Sequence, residues 1–557
     1  MSEHRSVWAL FGEVPRPPRK GRSVLDLFAD PKRRTADGDG HGGSADPPLP
    51  CALRFDERSV YWAMRNMPIR EAAKHFMILG AVGSGKTTVI DLFLQSIAPR
   101  FRPDRQVPEQ LIIFDAKRDI LPTLASYGLG PDQENVWILN PFDDRCAVWN
   151  LAEAAQAPAM ARYIATLLVP QEEKSSAPYF ASAARDLLVY VMWGLNRVQG
   201  KRWTLRDLLC AADSKEHIEA VTARHPRAKR LAASILNDDK HAFGVLSTLT
   251  TKLSRFEEVA GLWHSRPTAR RLSIPEFLRR PGVLVLGWDP VLNESLWPIN
   301  AIILKALADE ILRGPRKLQP RHWFVFDEFR AMQNVEAIHH LLNRGRDKGA
   351  SVLIAIQSIE GLIDVYGGHK AEDILSACAH KTVLRVGDPK SATWAQEYFG
   401  KIRRTEQHLT ENFGGKGGSG GSVQHRLEDR PVLLASYFMS LPFTGPGCPY
   451  KAVNDVPWLD RTIITEGWFD ELNAWRPPPP ENVDAFQPRA DQEEETLKDW
   501  TEDEEKLFGV KPSRKRKKAV SENPGETKPS RQKPERHLPS PPPSPNSPGL
   551  DSSDSNP

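Results

Sequence analysis

A glycine-rich stretch followed by a lysine and two threonines can hold a phosphate chain, and residues 80–88 provide it: Gly80, Ala81, Val82, Gly83, Ser84, Gly85, Lys86, Thr87 and Thr88. The first eight fit G-x-x-x-x-G-K-[ST] without mismatch. The glycines let backbone N–H groups close around phosphate oxygens. The helix start that follows adds its positive dipole end, Lys86 reaches the β- and γ-phosphates, and Thr87 ligates Mg²⁺. The loop lies between the apolar run His75-Phe-Met-Ile-Leu79 and a helix-period stretch over 88–97. That is the strand, loop, helix context the motif requires, and the expected ligands are ATP and Mg²⁺.

A second constellation, Trp323-Phe-Val-Phe-Asp-Glu328, delivers two carboxylates at the end of an apolar run. Asp327 is expected to hold the Mg²⁺ shell with Thr87, and Glu328 to polarise an attacking water. Kinases and simple GTPases generally lack the second acid, so the pair points to ATP hydrolysis coupled to movement.

Bringing these residues together takes a sheet. Residues 1–50 are rich in Pro, Gly, Arg and Asp without an apolar period, and read as a disordered arm. From 51 to 150 the pattern is α/β, with strands expected over 75–79, 111–114 and 136–139. From 151 to 271 strands give way to helix-period segments such as 185–193 and 241–256, which predicts an inserted all-α domain. Over 272–475 strands return at 282–287, 323–326, 351–356 and 381–386, separated by helical stretches at 295–312, 334–344 and 389–399. Asp388 as N-cap, Pro389 at the first helical position and Gly400 beyond the end punctuate the last of these. The alternation predicts an α/β P-loop domain with a parallel sheet covered on both faces and ligands at the carboxyl ends of its strands. Residues 476–557 read as a disordered tail. Its acidic stretch over 491–505, with Trp500 and Phe508, is either a short docking motif or a solvated linker. Its basic cluster Arg514-Lys-Arg-Lys-Lys518 has the charge to touch nucleic acid.

Composition narrows the class. The chain has 557 residues and a net charge of only +4, so it is not a polycation and any nucleic-acid contact must come from local patches. One such patch is Arg224, Arg227, Lys229 and Arg230 in the all-α region, otherwise a solvated helix face. Five scattered cysteines with no C-x-x-C pair argue against a disulfide framework or a zinc site and for a reducing compartment. No run approaches the roughly 20 apolar residues that span a bilayer, and no signal peptide is read. The expectation is a cytoplasmic protein, with peripheral recruitment to a membrane left open. Gly417-Gly-Ser-Gly-Gly421 matches G-x-S-x-G formally, but a glycine run predicts a loop and no nucleophile elbow. His339 and His340 have no third ligand at metal spacing.

Several elements occur in the order seen in type IV secretion coupling proteins of the TraG/TraD type, RecA-like motors related to the FtsK and HerA translocases. They are 77–87, Phe114-Asp-Ala-Lys117, Leu139-Asn-Pro-Phe-Asp143 with Val148-Trp-Asn150, Phe324-Val-Phe-Asp-Glu328, Arg344-Gly-Arg346 with Gly349, Gln357-Ser358, and Leu384-Arg-Val-Gly-Asp-Pro389. The chain resembles that family over about 55–455. The resemblance implies a RecA-like fold and a homo-hexamer that grips the DNA backbone with little sequence preference. It also implies an all-α domain that selects cargo, and delivery of DNA or nucleoprotein to a secretion channel with a relaxase or accessory partner. Such proteins usually have transmembrane helices ahead of the P-loop, which are not found here. Where the family has Asp-Pro-Lys, this chain reads Asp115-Ala-Lys117-Arg118-Asp119.

On that resemblance Gln357, just beyond an apolar strand, is expected to orient the attacking water or sense the γ-phosphate, or else to be an ordinary strand-terminal amide. Arg385 is the leading candidate for an arginine completing a neighbour's site, with Arg344 and Arg346 next. Two other classes stay open: an ATPase recruiting protein substrates without DNA, and a nucleotide-dependent assembly switch.

Overall fold

The computed structural model describes residues 13–15, 56–171, 178–266, 269–289, 292–333, 335–412, 420–489 and 497–510. Most of the 1–50 arm, the start of the acidic stretch, residues 417–419 of the glycine run and the basic cluster at 514–518 lie outside the described residues.

Continuous apolar runs set the architecture. Strands buried on both faces need no polar alternation, and they build a parallel sheet with helices on each side. In chain order the strands begin with β1 (Glu13–Pro15), β2 (Ser59–Trp62), β3 (Arg65–Pro68), β4 (Phe76–Leu79), β5 (Gln110–Asp115) and β6 (Val136–Leu139). Next come β7 (Val148–Trp149), β8 (Arg271–Leu272), β9 (Gly282–Gly287), β10 (His322–Phe326), β11 (Ala350–Ile356) and β12 (His380–Val383). The last four are β13 (Lys401–Asn412), β14 (Gly420–Pro431), β15 (Pro449–Val456) and β16 (Arg461–Trp468). The main sheet runs β1-β16-β15-β12-β4-β11-β10-β5-β9-β6. From β12 to β6 all pairings are parallel.

Strand alternation splits the core between two faces. Met77, Leu79, Ile112 and Phe114 pack to one side, and Phe76, Ile78, Leu111 and Ile113 to the other. The strand order matters for chemistry: β11 lies between β4, which leads into the glycine loop, and β10, which ends at Asp327. The carboxyl ends of three adjacent strands therefore open on one edge.

The sheet is mixed, not wholly parallel as the sequence led us to expect, because β15 pairs antiparallel with β12 and with β16, which in turn pairs with β1. Polar residues inside these strands break the apolar pattern that would mark them. Asn454 is buried, its Oδ1 accepts from the Thr382 hydroxyl at 2.7 Å, and its Nδ2 donates to Thr465 Oγ1 at 2.9 Å. The helix Pro389–Phe399 has the punctuation expected: the Asp388 side chain accepts from Ser391 N at 2.7 Å, and Gly400 closes the end at φ +83°.

Between β7 and β8 the described chain is entirely helical, from Leu151–Ala154 to Glu257–His264, around the long helix Pro178–Gln199. Gly194 lets the helix Lys215–Thr222 approach: a Cβ there would sit 2.4 Å from the Val221 carbonyl oxygen. The helical region begins and ends at one point, since Val148 pairs with Arg271 and Trp149 with Leu272 in parallel.

The expectation of a structureless tail from 476 needs correcting for 476–489 and 497–510. Arg489 is buried and donates to Leu262 O at 2.7 Å. Asp143, in the Asn-Pro-Phe-Asp element, accepts from Arg145 Nη2 at 2.7 Å and from Gln487 N at 3.3 Å, tying this segment to the sheet domain. Trp500, Phe508 and Val510 are buried in the same core as the helical region. Proline and acid dominate the composition here, and they mask the few anchoring side chains.

Candidate active site

Beyond β4 the chain turns through the glycine loop. Gly80 N bonds to Ile356 O at 3.1 Å and Ala81 N to Arg385 O at 2.7 Å, so β11 and the segment after β12 hold the loop's first arm. A Cβ on Gly80 would lie 2.4 Å from Ser84 Oγ, and Gly85 caps the helix Lys86–Ile97 at φ +100°, in the left-handed region that favours glycine. Val82 at the tip is 73% exposed. Ser84 Oγ donates to Ala81 O at 2.7 Å. Thr87 is exposed at the helix start, and Thr88 is buried beneath it.

Lys86 is buried and folds over its own loop, donating to Gly80 O at 2.6 Å and Ala81 O at 3.0 Å. Burial lowers its ammonium to about 8, against the pull of Glu328 and Asp327. Carbonyl oxygens are weak partners for a cation beside two carboxylates, so anionic ligand oxygens would replace them readily.

The second strand end completes the constellation. Asp327 Oδ2 lies 3.0 Å from Lys117 Nζ, while its Oδ1 is buried without a hydrogen-bond partner. Lys117 Nζ also stands 3.5 Å from Thr87 Oγ1. One ammonium thus spans the two side chains expected to ligate Mg²⁺, and the second oxygen of the same carboxylate has no partner. A hard cation taking oxygen ligands, completed by phosphate and water, fits this donor set. Glu328 accepts a hydrogen bond from Gln357 Nε2. The β4, β11, β10 order thus puts Lys86, Gln357 and Glu328 on one edge. A cleft runs from Glu328 and Gln357 toward Trp288, Asn293 and Arg330.

Arg385 also sits on this rim. Its guanidinium lies over the Phe443 ring at 4.3 Å and donates to Leu441 O at 2.8 Å. Phe443 would touch a Cβ on Gly83, Thr444 N bonds to Gly83 O at 2.8 Å, and Thr444 Oγ1 to Ser84 O at 3.1 Å. Arg344 and Arg346 are exposed at the opposite end, just before β11 begins.

Sequence reasoning gave no role to Lys117, Phe443 or Thr444. Lys117 has a legible signal, a cation two residues past the end of β5 on the edge where the glycine loop opens. Phe443 and Thr444 have none, because they arrive from a distant segment. Asp115, at the end of β5, is pushed up to about 7 by burial although Asp119 N donates to it at 3.2 Å.

Known proteins share this fold. A profile described as the type IV secretion-system coupling protein DNA-binding domain matches residues 61–458. Coupling protein TraD of Escherichia coli (strain K12) is 23% identical over 393 residues, covering 68% of this chain and 52% of TraD. The chain therefore spans about half the length of that relative. The bacterial conjugative coupling protein TrwBdeltaN70, in its unbound monoclinic form, superposes with a TM-score of 0.58 at 19% identity, over 78% of this chain and 92% of its own. Plasmid coupling protein TrwB in complex with ADP and Mg²⁺ gives 0.57 at 19% identity, over 78% and 94%. Its complex with the non-hydrolysable ATP analogue ADPNP gives 0.57 at 19% identity, over 83% and 99%. At such identity the likeness is one of fold.

Proposed function

The chain belongs to the family of type IV secretion-system coupling protein DNA-binding domains, and we propose that it is an ATP-hydrolysing motor subunit that moves DNA or nucleoprotein toward a secretion channel. The observation that carries this reading is the orphaned Asp327 oxygen and the Glu328–Gln357 pair standing opposite Lys86 across one strand edge.

In this reading Lys86 leaves the loop carbonyls for the β- and γ-phosphates, and the loop's backbone N–H groups beyond Ala81 hold the rest of the chain of phosphates. Thr87 and Asp327 would hold Mg²⁺, which supplies charge neutralisation at the transferred phosphoryl group. Glu328 accepts a proton from the attacking water as it adds to phosphorus and ADP leaves. Gln357, through its amide on Glu328, fixes the carboxylate's orientation and reports the state of the site to β11. The stack of Arg385 on Phe443 supports a role in its own subunit, bracing the loop. Exposed Arg344 and Arg346 then become the candidates to complete a neighbour's site in a homo-hexamer.

Among the described residues no helix is long and apolar enough to cross a membrane. We place the motor at the cytoplasmic face of a bacterial inner membrane, reached through channel components, with a relaxase or accessory protein bringing cargo. DNA would be held through its phosphates with little sequence preference.

Steady-state hydrolysis with and without single- and double-stranded DNA, at low and moderate salt, tests the reading. Salt-sensitive stimulation by DNA is expected. Hydrolysis indifferent to DNA would move the assignment to protein cargo, and ATP binding without turnover would make the chain an assembly switch.

A further inference from the structure

The segment Leu497–Val510 is held to the helical region by a buried two-pronged ion pair and a pair of stacked rings. Arg206 is 2% exposed, and its guanidinium is spent on this segment. Nη1 and Nη2 take the two Glu504 carboxylate oxygens at 2.9 and 3.1 Å, Nε donates to Lys498 O at 2.6 Å, and Nη2 donates to Asp499 O at 2.5 Å. A buried cation tolerates this position only with such partners, and losing them leaves an uncompensated charge. The Trp500 ring lies 5.4 Å from His217, its Nε1 donates to Asp207 Oδ1 at 3.0 Å, and Phe508 stacks on it at 4.3 Å.

The segment also carries its own folding signals. Thr501 and Glu504 form a capping box that starts the helix Glu502–Phe508, and Gly509 ends it at φ +83°. Glu504 and Phe508 fall at i and i+4 on one face of that helix, and Trp500, just ahead of the N-cap, folds back to stack on Phe508 so that all three meet the same surface. Five carboxylates against two lysines make it acidic. It fills only part of the surface. Beside it an open cleft is lined by Arg202, Arg206, Trp263, His264, Arg271 and the segment's own Leu507, which is 49% exposed. Cationic and aromatic walls of this kind complement an acidic peptide with an aromatic anchor.

We propose that this surface of the helical region is a docking groove for acidic partner peptides with a tryptophan anchor and a glutamate four residues on, and that the chain's own residues 497–510 occupy it in cis. A partner must displace the internal segment, which competes at the high effective concentration of a tethered ligand. The proposal does not depend on hydrolysis or on DNA, and its test reads binding.

A fluorescein-labelled synthetic peptide of residues 497–510 is titrated against the full chain by anisotropy. Against the unaltered chain, weak binding is expected. Trp500→Ala with Glu504→Gln in the chain empties the groove, and affinity for the added peptide should rise by about tenfold or more. Adding Arg206→Met to that background should remove the gain. Equal affinity before and after emptying, gain that survives Arg206→Met, or competition by single-stranded DNA in place of acidic peptide would each overturn the proposal. The unaltered chain gives a second reading that needs no variant: with an excess of heavy-isotope peptide, amide exchange at 500–508 should speed up. Protection unmoved at saturating peptide would also overturn it.

Discussion

The two ends of the parallel strands bury ionisable groups to opposite effect. At the amino ends, charges and rings close on one another. Glu109 receives Arg321 at 2.8 Å and the Trp323 indole at 3.0 Å with Arg100 at 3.6 Å, and His322 bridges Gln110 and Lys317, each at 2.7 Å. At the carboxyl ends Lys86 makes do with loop carbonyls, and Asp327 keeps a buried oxygen without a partner. The strongest histidine shifts belong to the amino end, where burial pulls His322 down to about 3 and His75 and His380 to about 4. A displaced pKa therefore does not by itself mark the site. What marks it is a carboxylate oxygen left unmatched beside two lysines, whereas the unmatched atoms at the amino end include ring nitrogens of His75 and His380, histidines that burial keeps neutral.

If that contrast is right, variants at the two ends should fail in opposite ways. The largest effect is expected at the carboxyl end. Lys86→Ala should abolish nucleotide binding, and Glu328→Gln should keep binding while turnover falls by about 10²- to 10⁴-fold, with the melting temperature of both near that of the parent chain. Fluorescent-nucleotide titration beside a hydrolysis assay reads this; normal turnover by Glu328→Gln would remove it as the base. At the amino end, Glu109→Gln should cost about 3 kcal/mol in denaturant unfolding by removing the buried carboxylate that Arg100 and Arg321 share, with the KM for ATP unmoved.

A third effect is a pH dependence. His75, His322 and His380 each have a folded pKa below the ordinary 6.5, so the unfolded chain binds the extra protons. Their neutral burial is fully stabilising above pH 6.5, and stability is lost as pH falls toward 4, by up to about 1.4 kcal/mol per pH unit per histidine. Asp115 and Asp91, raised by burial to about 7 and about 6, act in the opposite direction, so the histidine share is read as the difference in unfolding midpoint between the parent chain and His322→Gln, which should grow as pH falls across that window. A difference that stays constant from 7 to 4.5 would dissolve the contrast from the amino side.

The smallest effect sharpens it from the other side. Lys117 spans Asp327 and Thr87, so Lys117→Gln removes a cation that competes with Mg²⁺. Half-maximal nucleotide binding should then need severalfold less Mg²⁺. An unchanged requirement would make the lysine a bystander.

How much of this was readable beforehand follows from how local each signal is. The glycine loop and Asp327-Glu328 are contiguous runs whose neighbours alone dictate strand and turn, and both lie where the sequence places them. Gln357 was legible as a strand-end amide, although its bond to Glu328 depends on β11 lying between β4 and β10, a fact of strand order that no periodicity encodes. Arg385 was read as the arginine that completes a neighbour's site, and its stack on Phe443 within the same chain was not legible, because it joins segments that the ribbon β13–β14 separates. β15 and β16 escaped notice because buried polar residues, Asn454, Asp455, Thr462 and Thr465, interrupt their apolar runs, and the bonds of Asn454 to Thr382 and Thr465 and of Asp455 to Tyr398 are made to residues distant in sequence or on the partner strand. Leu497–Val510 escaped for a related reason: a few anchors within an acidic stretch do not alter its average.

The β7–β8 pairing, which joins Val148–Trp149 to Arg271–Leu272, affects how the chain acquires its shape. Seen from the sheet, everything between those strands leaves and returns at one ladder step, so a long excursion acts as a short connection. Closing a loop of that length as open coil would carry an entropic penalty that grows with its logarithm. Helices dominated by local contacts form early and draw the two ends together first. β9 can then add between β5 and β6 as if the intervening chain were a turn. The same junction lets the helical region be lengthened, shortened or exchanged while the register of the sheet, and with it the edge where Lys86 meets Glu328, stays where it is.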